Sequence, residues 1–327
     1  MNKTILSILK IIENQEDIIG SREISKRLKL YGIDLSERAV RYYLKLLDEQ
    51  GFTEVFAKQG RRITDKGREE LKLAFVSEKV GFVISRIETL SYLTSLNIET
   101  MKGQVILNTS LFPEDRLDEA IKILKPIFSS PYIMSDRIII GRSGERIGKF
   151  EVPQGKCMIG TVCSITINGI FLKAGIPLTS RFGGVAEICD AKPKRFISLI
   201  SYEGSSLDPH EIFIRSRMTD VIGAVKRKTG KILASFREMP VICLDEAKRL
   251  SEILSKRGIG GILVIGDPNK SVLEAPVGID RIGMVVVGGL NPISALVERG
   301  IPTENRAMSV LYEYSKLIPF TDALQKL

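Results

Sequence analysis

The sequence predicts a mixed α/β (α+β) protein in two parts. These are an N-terminal winged helix-turn-helix over residues 1–76 and an internally duplicated, two-lobed mixed α/β domain over residues 77–327, with repeats of about 85–210 and 211–327. Three observations predict it. Short amphipathic helical segments followed by a basic-tipped hairpin fill the first part. A set of short motifs recurs at a near-constant offset through the second. Around each recurrence, β-branched runs alternate with amphipathic helical runs, the pattern of sheets layered with helices.

In order along the chain, Ile5, Leu6, Ile8, Leu9 and Ile12 stand at helical spacing and predict a first helix. Ser21 is expected to cap a second, carrying Ile24 and Leu28, and a turn follows at Tyr31-Gly32. Ser36 is expected to cap a third helix that runs to about Gln50 and stops at Gly51. On that helix Val40, Tyr43, Leu44 and Leu47 form an inward stripe, and Arg38, Arg41, Tyr42 and Lys45 form the outward one. A third helix with a basic outer face reads as the one that enters the major groove of double-stranded DNA. Residues 52–56, the loop Lys58-Gln59-Gly60-Arg61-Arg62 and Ile63 then make a hairpin with a basic tip, a wing, and a further helix starts at Thr64. Ser36, Arg38, Arg41, Tyr42, Lys45, Arg61 and Arg62 are therefore the candidate DNA contacts. The connection over residues 72–81 lacks Pro-rich or Gly-Ser-rich composition and is expected to be helical.

The duplication is carried by several motifs. Lys102-Gly103, Pro113 and Leu117-Asp118-Glu119-Ala120 recur as Thr229-Gly230, Pro240 and Leu244-Asp245-Glu246-Ala247, an offset of 127. Glu151-Val152-Pro153 and Ile159-Gly160 recur as Glu274-Ala275-Pro276 and Ile282-Gly283, 123 apart, and Gly175-Ile176-Pro177 and Arg181 as Gly300-Ile301-Pro302 and Arg306, 125 apart. Each half is expected to read strand, helix, strand, hairpin, strand, helix, strand, giving two lobes about a pseudo-twofold. Residues 105–107 and 232–234 are first strands, and residues 116–128 and Leu244–Lys256 the following helices.

The stretch from Gly160 to Gly184 stands out. Residues 160–167 read as a strand, followed by a short helix capped by Asn168 and stopped at Gly175, then a glycine-rich loop headed by Arg181. With the 123-residue offset, Thr161, Cys163 and Ser164 match Met284, Val286 and Val287, so one copy keeps polar groups where the other is aliphatic. Buried hydroxyls without partners cost roughly 1–3 kcal/mol each. Neighbouring backbone is the commoner partner, a bound ligand the other. Thr161, Cys163, Ser164, Arg181, Gly183 and Gly184 form a candidate site for a small carboxylate, with a guanidinium fork, donors and open amides.

Gly160-Thr161-Val162-Cys163-Ser164-Ile165-Thr166-Ile167-Asn168-Gly169, with Lys173-Ala174-Gly175-Ile176-Pro177, Arg181-Phe182-Gly183-Gly184, Leu199-Ile200-Ser201-Tyr202 and Ser205-Ser206-Leu207-Asp208-Pro209, resembles the regulatory domain of the NrpR family of archaeal nitrogen repressors. Together with the N-terminal part, the resemblance covers essentially the whole chain. It implies repression of nitrogen-assimilation genes at palindromic operator DNA by a homodimer, with 2-oxoglutarate as the effector that releases DNA. It leaves open whether a second NrpR-type subunit takes part.

Other readings are excluded by what is missing. The net charge of +9 permits nucleic-acid partners. Cys157, Cys163, Cys189 and Cys243 have no C-x-x-C spacing and His210 is the lone histidine, so no metal site and no cofactor are expected. Isolated thiols fit a reducing cytoplasm, and no apolar run of membrane-spanning length is present. Cys163 lacks a base nearby in sequence, and Arg142-Ser143-Gly144-Glu145-Arg146 reads as a hairpin turn rather than a phosphate loop, so no enzyme is expected. His210, after the helix-start pair Asp208-Pro209, is expected at the surface in a first turn.

Overall fold

The structure, a computed structural model, describes residues 3–15, 18–57, 59–73, 81–147 and 150–323. It divides into two compact units, residues 1–80 and 81–327. In the first, helices α1 (Lys3–Glu13), α2 (Ser21–Leu28) and α3 (Glu37–Glu49) precede the hairpin β1 (Thr53–Phe56) and β2 (Gly60–Ile63), and α4 (Asp65–Leu73) closes it. Leu6, Leu9 and Ile12 of α1, Ile24 and Leu28 of α2, and Val40, Leu44 and Leu47 of α3 meet in one core. Each contributes about 1.5–3 kcal/mol by leaving water. Tyr43 is only half-buried. Ser36 caps α3, its Oγ accepting from the Ala39 N–H at 3.2 Å. Ser21 does not cap α2: Gly20 holds that position, and Ser21, already inside the first turn, donates to Glu37 Oε1 at 3.1 Å. Gly60 has φ +138, and a Cβ there would lie 2.3 Å from the Ile19 carbonyl oxygen, so only glycine permits the Ile19–Arg61 bridge that braces the wing. Lys58 and most of the expected linker helix, residues 74–80, lie outside the described residues.

The second unit opens with α5 (Phe82–Leu93). The first repeat follows as β3 (Gln104–Pro113), α6 (Leu117–Phe128), β4 (Arg137–Gly141), the small hairpin β5 (Arg146–Ile147) and β6 (Phe150–Glu151), β7 (Lys156–Val162), α7 (Ile165–Lys173) and β8 (Thr179–Cys189). Then β9 (Lys192–Ser201), α8 (Pro209–Arg215) and α9 (Val221–Lys226) lead to the second repeat. That repeat is β10 (Gly230–Pro240), α10 (Leu244–Lys256), β11 (Ile262–Ile265), β12 (Arg281–Val287), α11 (Asn291–Glu298) and β13 (Glu304–Glu313), with β14 (Ile318–Pro319) and α12 (Phe320–Ala323) after it. Two five-stranded antiparallel sheets result, ordered β13-β3-β7-β4-β14 and β11-β12-β10-β8-β9.

The two lobes are not the two sequence halves. Strand β8 of the first repeat pairs with β10 of the second, and β13 of the second pairs with β3 of the first. The halves exchange equivalent strands, which covers the edge that β3 and β10 would each otherwise expose. The ladders also correct the offset at the polar stretch. In the first sheet Pro113 faces Lys156 and Leu107 faces Val162; in the second Pro240 faces Arg281 and Ala234 faces Val287. The shift there is 125 (281 − 156 and 287 − 162), not 123. Thr161 therefore corresponds to Val286, and Cys163 and Ser164 to Gly288 and Gly289. Polar-to-aliphatic replacement holds at Thr161 alone.

Three local readings change with the coordinates. Strand β7 stops at Val162, so Cys163 lies beyond it and Ser164 is the N-cap of α7; Asn168 is a buried interior residue of that helix rather than its cap. Gly175, at φ +79, does follow the helix end. Arg181, Phe182, Gly183 and Gly184 form a strand and not a loop, and both glycines are flanked by β9 and β10, so their backbone is engaged in the sheet rather than open to an anion. Asp208 caps α8 and Pro209 opens it as expected, but His210 is buried, its Nε2 3.2 Å from the Ala234 carbonyl oxygen. The helix lies on the sheet, and that side faces inward. Among the described residues no helix is long and apolar enough to cross a membrane.

Candidate DNA face and effector site

On α3 the four outward residues Arg38, Arg41, Tyr42 and Lys45 are all exposed, and Tyr42 at 63% is unusually so for an aromatic. Arg41 pairs with Glu37 at 3.1 Å and Lys45 with Glu49 at 3.8 Å. Exposed i,i+4 pairs are worth only about 0.3–0.5 kcal/mol, so a phosphate or base edge can replace them. Ser36, besides capping, is exposed at the helix N-terminus. At the wing Arg62 is exposed, 3.3 Å from Glu54 and over the Phe56 ring at 4.7 Å. Arg61 is different. Its Nε donates to both oxygens of Asp48, at 3.1 and 2.9 Å, and Thr53 Oγ1 donates to the same carboxylate at 2.6 Å. Arg61 thus ties the wing to α3 and sets its angle, while Arg62 is the wing cation left outward.

The regulatory unit holds a second polar constellation, and its centre is a residue the sequence reading passed over. Arg237 on β10 is 0% exposed. Its Nη2 donates to the Ser164 carbonyl at 3.0 Å, while Nε and Nη1 find no partner among the described residues. No carboxylate forms a salt bridge with it there. A buried guanidinium in that condition is costly unless something anionic meets it. Burial lowers its pKa to about 10, which leaves it charged at neutral pH. It also faces the N-terminus of α7, whose partial positive charge adds to its own.

Around Arg237 stand several small polar groups. Ser180 lies opposite it in the β8–β10 ladder and accepts from Asn168 Nδ2 at 2.9 Å, and Asn168 Oδ1 is buried with no partner among the described residues. Tyr202 is buried, its hydroxyl engages Ser235, and burial pushes its pKa well up. Cys163 is buried too and its thiol is pushed up to about 12, so it is a neutral side chain and not a nucleophile. Gly183 lets Pro209 and Tyr202 pack close against this strand: a Cβ there would lie 2.7 Å from Pro209 Cβ and 3.0 Å from the Tyr202 hydroxyl.

The residues singled out from sequence divide between places. Cys163 and Ser164 belong to the Arg237 constellation. Thr161 turns away, its Oγ1 donating to the Gly289 carbonyl at 2.8 Å, so its buried hydroxyl has a backbone partner. Arg181 is 40% exposed and reaches Glu238 at 3.5 Å; Glu238 follows Arg237 on the strand and so leaves on the opposite face. The fork expected from Arg181 is thus not brought to Cys163 and Ser164. The guanidinium that stands beside Ser164 is that of Arg237. The sequence signal for it is a contrast between the halves, since the 127-residue offset places Ser110 where Arg237 stands.

Residues 80–318 match the family described as NrpR regulatory domains NRD1 and 2, and residues 6–71 match a ribonuclease R winged-helix domain. The global nitrogen regulator NrpRI of Methanosarcina mazei is 37% identical over 97% of this chain and 98% of its own length. The chain belongs to the NrpR family. Global nitrogen regulators NrpR of Methanococcus maripaludis and Methanocaldococcus jannaschii are 33% and 32% identical over 95% and 97% of this chain, which spans only 54% and 55% of their length. The solved structure of a nitrogen repressor-like protein from Methanococcus jannaschii, 34% identical, covers 73% of this chain and 98% of its own with a TM-score of 0.61. These relatives are named as global nitrogen regulators, and none is named as an enzyme.

Proposed function

We propose that this NrpR-family protein is a dimeric repressor of nitrogen-assimilation genes that binds operator DNA and is released by 2-oxoglutarate. The observation that carries the effector reading is the buried guanidinium of Arg237, whose Nε and Nη1 are unengaged and which has no carboxylate partner among the described residues. A dicarboxylate keto acid offers the bidentate acceptor such a fork accepts. Ser164, Cys163, Asn168, Ser180, Tyr202 and Ser235 surround it with small polar groups of the size needed to orient one carboxylate. DNA contact is assigned to Ser36, Arg38, Arg41, Tyr42, Lys45 and Arg62, with Arg61 positioning the wing. A dimer matches a palindromic operator read by one such helix per half-site. A second NrpR-type subunit is a further partner, and the longer relatives leave room for one within a single chain.

Release requires tighter effector binding by the DNA-incompetent arrangement, since equal affinity for both arrangements shifts nothing. Because β8 and β13 are exchanged between sheets, an anion drawing on β10, β8 and α7 acts on both repeats at once. Operator binding followed by gel shift across a 2-oxoglutarate titration is the test. Operator affinity should fall roughly 5- to 150-fold at saturation, the range of ordinary allosteric couplings. Arg38→Ala with Arg41→Ala should weaken operator binding in the absence of effector. Unaltered affinity on adding the keto acid would remove the effector assignment, and unaltered affinity in the double variant the DNA face.

A further inference from the structure

Most of the net positive charge lies outside the winged-helix unit. Residues 1–80 hold 16 Lys and Arg against 13 Asp and Glu, which leaves 32 against 26 for residues 81–327, or +3 and +6 of the +9 total. Part of that excess gathers at one end of the second sheet. The turn between β8 and β9 meets the connection between α9 and β10, where the Ala191 N–H donates to the Lys228 carbonyl at 2.8 Å. Lys192, Lys194 and Arg195 on one side and Lys226, Arg227, Lys228 and Lys231 on the other are all exposed. Arg195 pairs with Glu187 at 2.9 Å and Arg227 with Asp220 at 2.7 Å. The five lysines form no salt bridge among the described residues, and two exposed carboxylates, Asp190 at the turn and Glu274 next to the Leu273 that bonds Phe196, form none with them.

The fold does not demand this cluster. The equivalent connection in the first repeat, closed by Ser95 N–H to the Gln104 carbonyl as this one is by Asp220 N–H to the Lys231 carbonyl, is two residues shorter. It carries only the charged residues Glu99 and Lys102, against Asp220, Lys226, Arg227, Lys228 and Lys231 here. One copy of the connection is neutral and the other strongly basic. The free cations are lysines, compact point charges suited to phosphate and carrying no base-reading geometry. The exposed apolar side chains of the same strand, Ile197 and Leu199, which could anchor a protein partner, follow Arg195 along β9 rather than standing between its lysines.

We propose that this lysine cluster on the regulatory unit is a second, sequence-independent contact to the phosphate backbone of DNA flanking the operator. The contact rests on DNA binding by the winged helix for its delivery: tethering through one chain raises the local concentration of duplex at the lysines. It adds affinity and salt dependence without adding sequence preference.

The test uses the full chain carrying Lys194→Gln, Lys228→Gln and Lys231→Gln, beside a control of equal charge loss, Lys102→Gln, Lys125→Gln and Lys316→Gln from the first lobe. Binding is measured against salt on operator duplex trimmed to the winged-helix footprint, on the same operator extended at both ends, and on mixed-sequence duplex of the longer length. The patch variant should lose affinity for the extended operator and the mixed duplex, with the slope of log K against log salt shallower by about 0.9 per lysine removed, and should match wild type on the trimmed operator. The control should match wild type throughout. Equal losses in both triples would mean net charge alone and overturn the proposal, as would wild-type behaviour of the patch variant on every duplex. Unchanged DNA binding with lost binding to polyglutamate would assign the lysines to an acidic protein instead. A wild-type chain that binds extended and mixed duplex equally well would count against the repressor reading, and leave the lysine contact standing if the patch variant still weakens both.

Discussion

Two equivalent places in the regulatory unit, one per sheet, have the same backbone and opposite chemistry. On β10 Arg237 reaches the Ser164 carbonyl at the start of α7; on β3 the matching residue is Ser110, and the carbonyl of Gly289, the counterpart of Ser164, is met instead by Thr161. Ser110 Oγ is buried and has no partner among the described residues, a small neutral debt. Arg237 leaves two guanidinium nitrogens, Nε and Nη1, in the same condition. The first site is closed by the protein's own atoms, and the second is built so that closing it calls for an anion. Duplication supplied the frame, and under the proposed function a single arginine makes one copy the sensor and leaves the other a scaffold.

The comparison breaks most completely with Arg237→Met, which makes the second site as neutral as the first. Replacing a buried, poorly paired charge with an apolar side chain of similar length is often neutral or stabilising by about 1–4 kcal/mol. Operator binding should persist, Tm should hold or rise, and the response to 2-oxoglutarate should vanish. A variant that still released DNA on adding the keto acid would place the effector elsewhere.

Gly183→Ala comes next. The added methyl would press on Pro209 and the Tyr202 hydroxyl, and overpacking of this kind costs typically 1–3 kcal/mol. Chemical denaturation should show that loss together with weakened effector binding, because Tyr202 must shift. Loss of stability with wild-type effector affinity would separate the glycine from the site.

His210 sharpens the contrast through pH. Burial lowers its pKa, so the unfolded chain binds the extra proton first and stability falls as pH drops through the ordinary histidine value of about 6.5. Glu211 and Glu298 act in the opposite sense: burial raises them, so their folded forms hold protons longest and stability falls as pH rises past the usual carboxylate range. His210 is the lone histidine, so the difference between wild type and His210→Gln between pH 5 and 7 isolates its part. Parallel curves would show that the ring titrates freely in the fold. The smallest effect belongs to Thr161→Val, which installs the side chain found at Val286 and removes one hydrogen bond to Gly289. About 1 kcal/mol of stability should be lost, with effector response intact. A lost response there would show that the two copies are not independent.

The sequence by itself determined the winged-helix elements, the duplication and which residues of α3 face outward. The stripe Val40-Leu44-Leu47 follows from helical period alone, and the exposure of Arg38, Arg41, Tyr42 and Lys45 is its geometric complement, so a local pattern was enough. Gly175 past a helix end and Asp208-Pro209 before one were legible for the same reason, since caps depend on adjacent residues. Tertiary structure decided the rest. Which strand completes which sheet depends on pairing between residues about 50 to 200 apart, and that pairing exchanged β8 with β13 and moved the internal register from 123 to 125. The polar constellation around Arg237 belongs to this second class. Arg181 and Arg237 both stand on strands of the second sheet, but alternation and a bulge between Phe236 and Arg237 send one outward to Glu238 and bury the other against α7. No local pattern distinguishes them, because the difference lies in what each face of the sheet packs against.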